Sequence, residues 1–379
     1  MDGVAKIRLP QTELLTAISI LFSIMNNSVI IGTGSCLPEK IVPNSHFLQH
    51  TFYKKDGQPM LKDTKEITSK LQQISGIKER RYATPEADSV SIAAEAGKKA
   101  LASAQLDGEE LDGIIIAHNA GNMVHGASKP HTIPNMASLI KAQLDIHNPN
   151  CIAYDVIFGC PGWIEAMTQA HRRIALGEAK NLLVIGVELL SRYVDQHDLD
   201  TMLFGDGAGA VILQAQKGKE NKGILAYQNY SHCNKEVDFL KMGKSYKQDA
   251  PESLFIKMEG RQVYRYAVTH VPELVNNCLK EAGIPIEKVD HFLFHQANEK
   301  MIIAMAEKLF KMNDIEGDID ALVPMSVQFL GNSSVATIPT LMDLIHQQQI
   351  PNHNIKEGDL IVMAAVGAGM HANCMIYQA

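Results

Sequence analysis

The stretch IAYDVIFGCPGWIEAM, residues 152–167, decides how the chain is read. Its first half, through Phe158, is a short apolar run of the buried-strand type. From Pro161 onward the pattern is helical, and Pro suits a first helical position because its missing N–H has no intrahelical partner there. Gly159 and Cys160 stand at the junction. A strand that turns at once into a helix is one β–α unit, and similar units continue on both sides.

Upstream, SVIIGTGSCLP (28–38) reads as a strand entering a Gly-rich turn. SVSIAAEAGKKALASAQL (89–106) is helical, with Ser89 as the candidate N-cap. DGIIIAHNA (112–120) is a buried strand and NMASLIKAQLDI (135–146) a helix. Downstream, strands are expected at 181–189, 204–215, 223–230, 290–297, 359–369 and 371–378. Helices are expected at 261–283, 299–310 and 333–348. Alternation of strands and helices argues for α/β layers. The charged stretch 52–73 reads as an exposed insertion that ends in a helix. The GDGAG run (205–209) reads as a tight Gly turn rather than a phosphate cradle, since no GxGxxG or GxxxxGK[ST] accompanies it.

The 379 residues suggest two domains or halves, divided as 28–215 and 216–379. Residues 1–27 read as an N-terminal extension: Lys6 and Arg8 precede the apolar run LLTAISILFSIM, which is too short to span a bilayer. Composition is that of a globular enzyme, with 46% hydrophobic and 20% charged residues. A net charge of -7 without a basic run argues against nucleic acid as a partner, and no membrane association is expected. Six scattered cysteines without a CxxC pair argue against zinc and against a disulfide framework. Reduced thiols in a cytoplasm, with no cofactor and no metal, are the expectation. His118, His125 and His131 share one polar stretch, but their spacing fits no metal-binding helix, so they are read as loop or pocket-rim residues.

Three polar residues stand in apolar settings. Cys160 at a helix start would face unpaired N–H groups, which lower a thiol pKa and can hold an oxyanion. A buried inert thiol explains the same position. His295, in FLFHQAN, is either a core histidine or a general acid/base or oxyanion donor. Asn332, in FLGNSSVATIP, is either an N-cap or an amide donor inside a pocket.

Taken together with their flanks, these residues resemble those of the β-ketoacyl-acyl-carrier-protein synthase III enzymes of the thiolase superfamily. The pieces that carry the resemblance are IIGTGSCLPEKIVPN, GIKERRYATPE, the Cys160 junction, FGDGAGAVIL, FHQAN, LGNSS and AVGAG. The resemblance implies a five-layered αβαβα fold of two similar halves, usually as a homodimer. It implies Cys160 as the nucleophile that holds an acyl group as a thioester. His295 and Asn332 would grip the thioester carbonyl of a malonyl group on an acyl carrier protein, so that decarboxylation yields a stabilised enolate. The Cys160 amide and an amide from Gly367–Ala368–Gly369 would hold the oxyanion of the condensation step.

The chain departs from the family at the coenzyme A clamp. The residues before SGIKER are Lys70, Leu71, Gln72, Gln73 and Ile74, and a second clamp arginine is matched by Leu199. Neither an adenine stack nor phosphate contacts can come from these side chains. The acyl thioester is therefore expected on a carrier protein, or on coenzyme A held differently. Ile133 and Val366 stand where short-chain relatives carry Phe, which implies room for a longer or branched acyl chain. Asn298 is expected at the substrate pocket, and Lys300 at the carrier protein's acidic helix. The 52–73 insertion resembles the branch linked to specialised lipid and polyketide pathways, by fold-level analogy. The rival readings are an ester- or amide-forming acyltransferase on the same fold, a Cys-His thioester hydrolase or peptidase, and a non-catalytic partner subunit. A thiolase would need a second cysteine before the terminal Gly turn, and a chalcone-synthase-like enzyme a GFGPG loop; both are absent.

Overall fold

A computed structural model describes residues 26–127, 129–217, 222–250 and 253–379. The expected N-terminal extension lies outside these residues except for Asn26 and Asn27.

The first sheet has five strands in the order β1-β7-β6-β4-β5. These are β1 (Asn27–Cys36), β4 (Gly113–His118), β5 (Ile152–Ile157), β6 (Asn181–Leu189) and β7 (Asp206–Gln216). The second sheet has the order β11-β12-β13-β8. Its strands are β8 (Gly223–Ser231), β11 (His291–Phe294), β12 (Leu360–Gly367) and β13 (His371–Gln378). The two sheets repeat one pattern. β1–β7–β6 and β8–β13–β12 are antiparallel, and β4 joins β6 in parallel as β11 joins β12. Only β5 has no counterpart among the described residues. Two small ribbons complete the strands: β2 (Lys40–Pro43) with β3 (Glu79–Tyr82), and β9 (Leu240–Gly243) with β10 (Phe255–Met258).

Helices fill three further layers. α2 (Ser89–Ala104) and α3 (Met136–Gln143) cover the outer face of the first sheet; α5 (Gly260–Glu281) and α6 (Glu299–Met312) lie on the opposite outside. Between the sheets run α4 (Gly162–Ala175) and α7 (Thr337–His346). The period-2 alternation of strands makes this possible. On β4, Ile114 and Ile116 face the outer helices, while Ile115 and Ala117 face the central layer with Trp163. Each fully buried aliphatic side chain contributes about 1.5–3 kcal/mol. The result is the five-layered αβαβα arrangement.

Three local expectations are corrected. The N-cap of α2 is Asp88, which accepts from the Ser91 N–H while the Ser91 hydroxyl closes a capping box; Ser89 lies inside the helix. The GDGAG run is not a turn, because all but its first residue lie within β7. Its glycines permit close approach: a Cβ on Gly209 would sit 2.5 Å from the Thr340 amide nitrogen of α7. The 52–73 segment is only partly exposed. Its helix α1 (Thr64–Ser75) inserts Ile67 beside Phe52, Val42, Phe47 and Met202 in a third small core.

Candidate active site

Cys160 sits at the end of β5, where the chain must reverse into α4 within a few residues. Gly159 makes the reversal with a φ of +69°, a region that costs glycine little. A Cβ on Gly367 would lie 2.4 Å from the Cys160 amide nitrogen, and one on Gly159 would lie 2.8 Å from that of Ala368. The 159–160 and 367–368 backbones therefore touch, which sets the Cys160 and Ala368 amides beside each other. Gly369, with φ +75°, turns the chain back into β13.

His295 leaves the end of β11, its amide donating to the Ala364 carbonyl at 2.9 Å. Its Nδ1 lies 2.7 Å from the Thr337 hydroxyl, which is also 2.9 Å from the Ser334 carbonyl. That hydroxyl has one proton, which it donates to the Ser334 carbonyl, so Oγ1 accepts from Nδ1–H; a donor role at Nε2 requires that proton to turn to Nδ1 instead. Burial pushes His295 down to about 4, so the ring is neutral near pH 7.

Asn332 is stitched in place by its backbone, donating to Leu203 and accepting from Gly205, both at 2.9 Å. Its Oδ1 accepts from the Ser334 N–H at 2.8 Å, which leaves the amide NH2 as its free end. It does not cap α7, whose N-cap is Ala336. Asn332 lines an apolar cleft of about 620 Å³ together with Leu71, Ile74, Asn298, Arg261 and Arg265. A second cavity, of about 210 Å³, contains Cys160, Ser334 and Ala368 and is walled by Leu190, Tyr193, Met242 and Ile256. Phe204 borders both.

The thiol does not behave as the helix start implies. Burial pushes Cys160 up to about 11, the Ser334 hydroxyl opposes this, and the nearby Glu188 charge adds to it. Desolvation outweighs the helix dipole here, so the thiol is the resting form.

Several further expectations are redrawn. Ile133 is 91% exposed and lines neither cavity. Val366 is in the outer core, since alternate residues of β12 face α5 and α6. Leu199 packs in the small third core, and its neighbour Asp200 faces the cleft instead. Asn298 does line the cleft, while its side chain also caps α6 through the Met301 N–H at 3.0 Å. Lys300 is exposed in the first turn of α6. His118 is no rim residue: it is buried, with Nε2 3.0 Å from Asp155 and Nδ1 accepting from the Gly121 N–H. His125 and His131 are exposed. No three His, Cys, Asp or Glu side chains are grouped to hold a metal among the described residues.

Sequence reading missed Ser334, Asn119, Glu188, Tyr193 and Thr337. Ser334 donates to Cys160 Sγ at 3.2 Å. Glu188 is buried and pushed up to about 7 by that burial. The Tyr193 hydroxyl lies against it without a hydrogen bond of good geometry. A lone carboxylate inside the apolar strand NLLVIGVEL was the available signal. Arg261 and Arg265, four residues apart on α5, both line the cleft.

Comparison with known proteins agrees with this architecture. Residues 154–232 match the family 3-oxoacyl-[acyl-carrier-protein] synthase III, and residues 279–379 match its C-terminal counterpart. The chain is 33% identical over 348 residues to β-ketoacyl-[acyl-carrier-protein] synthase III of Roseobacter denitrificans, covering 90% of this chain and 96% of that protein. It is 34% identical over 354 residues to the enzyme of the same name from Thioalkalivibrio sulfidiphilus, covering 91% and 97%. The crystal structure of 3-oxoacyl-[acyl-carrier-protein] synthase III from Aquifex aeolicus superposes with a TM-score of 0.75 at 32% identity, over 93% of this chain and 100% of that one. With the fold, the Cys160 junction and these relatives in agreement, the chain belongs to the β-ketoacyl-acyl-carrier-protein synthase III family of condensing enzymes.

Proposed function

We propose that the protein condenses an acyl group held on Cys160 with a malonyl-type group on an acyl carrier protein. In the first half-reaction the Cys160 sulfur bonds to the acyl carbonyl carbon. The bond to the carrier sulfur breaks, and the thiol proton ends on the carrier. In the second, the malonyl carboxylate leaves as carbon dioxide and its electron pair moves onto the thioester oxygen. His295 Nε2–H and the Asn332 NH2 stabilise that charge. The enolate carbon attacks the acyl-Cys160 carbonyl, whose oxyanion is held by the Cys160 and Ala368 amides. The carbon–Sγ bond then breaks, giving a β-ketoacyl carrier thioester and Cys160 once more, with one proton taken up. The observation that carries this reading is one hydrogen-bonded chain through Ser334: its hydroxyl donates to Cys160 Sγ, its N–H holds Asn332, and its carbonyl accepts from the Thr337 hydroxyl that lies against His295.

The acyl group arrives on a carrier protein. The cleft wall at Leu71 and Ile74 is aliphatic and Asp200 adds a carboxyl, whereas Arg261 and Arg265 can meet one phosphodiester. Lys300 meets the carrier's acidic helix. Intact-protein mass spectrometry after a single turnover will show faster acyl loading from acyl-carrier protein than from the same acyl-coenzyme A. Equal or faster loading from acyl-coenzyme A refutes the preference.

The active form is a homodimer. β5 is an edge strand of the first sheet, and Ile152 and Ile157 on it are 43% and 66% exposed. An unpaired strand edge bearing exposed apolar side chains invites pairing with a second chain. Ile157 also walls the 210 Å³ cavity, so a second chain paired to this edge would lie beside it. Ile157→Glu will place a charge in that interface and weaken the dimer about 100-fold or more. Sedimentation velocity gives the check; an Ile157→Glu dimer as tight as the parent sinks the assignment.

A further inference from the structure

The Ser334 hydroxyl is held so that it can only donate to the nucleophile. Asn119 Nδ2 donates to Ser334 Oγ at 2.9 Å. An amide NH2 cannot accept, so the hydroxyl proton is turned away from it. The one other partner of that hydroxyl among the described residues is Cys160 Sγ, at 3.2 Å. Asn119 is itself fixed in this orientation, since its backbone N–H and its Nδ2 both donate to Glu188 Oε2, at 3.1 and 2.5 Å. Ser334 is 2% exposed, and it has a φ of +52°, a strained value for a residue with a side chain.

We propose that Ser334 is a further catalytic residue, whose hydroxyl hydrogen-bonds the Cys160 thiolate both when the sulfur attacks and when it leaves. This rests on Cys160 being the nucleophile. A sulfur in an apolar-walled cavity has few ways to carry negative charge, and a charge-assisted hydrogen bond is among the strongest. The electron pair released as the carbon–Sγ bond breaks returns to an atom that already faces an O–H donor. Glu188 and Asn119 act through Ser334 and are positioning residues.

The backbone duties of Ser334 survive loss of its hydroxyl. Its N–H still holds Asn332 and its carbonyl still meets Thr337. Ser334→Ala and Ser334→Gly therefore test the hydroxyl, and Gly also relieves the positive φ. The experiment follows iodoacetamide alkylation of Cys160 against pH by peptide mass spectrometry, with exposed Cys233 as internal reference. It also follows single-turnover acyl loading. Both variants will alkylate at Cys160 about 10- to 100-fold more slowly near pH 8, the scale of one hydrogen bond to a charged group, with the profile shifted to higher pH. Cys233 alkylation will not change, and acyl loading will slow in parallel. An unchanged Cys160 profile in both variants overturns the proposal, as does a slowing in Ala that Gly restores. Acyl loading that persists in Cys160→Ala would instead overturn the nucleophile assignment on which the proposal rests.

Discussion

Cys160→Ala protein incubated with an acyl thioester will gain no acyl mass, and its condensation rate will fall about 10⁴-fold or more. The size of the effect follows from the chemistry. The thioester on Cys160 divides one difficult carbon–carbon bond formation into two easier steps, and no other sulfur can take over. Cys151, Cys278 and Cys374 are buried in the apolar core, Cys36 packs against it, and Cys233 lies exposed beside His371; none of these cysteines lines the Cys160 cavity. The substitution removes one hydrogen bond, from Ser334, so the fold will persist; circular dichroism and thermal unfolding check this. Intact-protein mass spectrometry reads the loading directly. Acyl mass on the alanine variant would mean that the acyl group is carried elsewhere.

His295→Ala will separate the two half-reactions. Acyl loading of Cys160 will continue, while malonyl decarboxylation and condensation will fall about 10²- to 10³-fold, the cost of removing one preorganised oxyanion donor. Loss of loading together with decarboxylation would place His295 in the first half-reaction instead. The pH dependence follows from burial. With His295 down at about 4, the neutral donor persists through pH 5 to 8, so its protonation will not limit condensation there. The linked effect on stability has a definite sign. The unfolded histidine takes a proton near pH 6.5, whereas the folded one resists until about 4. The unfolded state therefore binds more protons in that window. Stability will fall by about 1.4 kcal/mol per pH unit as pH drops through it. His295→Ala will remove this slope from thermal-unfolding midpoints measured against pH.

Much of the fold was legible because its layers impose simple periods. The run GIIIAH can only be a strand buried on both faces, and the EKMIIAMAEKLF pattern of α6 has one apolar stripe. The ribbons β2–β3 and β9–β10 were not legible. Each is four residues long and half exposed, and pairing across distant sequence, not local pattern, makes them strands. At the site, Cys160, His295 and Asn332 were readable as polar residues closing apolar elements. Ser334 was hidden in plain view as the last residue of LGNSS, because nothing local distinguishes a serine that bonds a sulfur from one that bonds water.

The sequence by itself determined the α/β class, which follows from period and turn chemistry, and through motifs a few residues long the family resemblance that implies the layer order and the three candidate catalytic side chains. Only the tertiary structure decided which side chains share a cavity. It moved Val366 and Leu199 into cores, turned Ile133 outward, and brought Arg261, Arg265 and Asp200 to the cleft. It also reversed the expected ionisation of Cys160. A thiol pKa reflects desolvation and charges from every neighbouring element, and Glu188 and Ser334 reach Cys160 from chain positions that no local spacing connects to it.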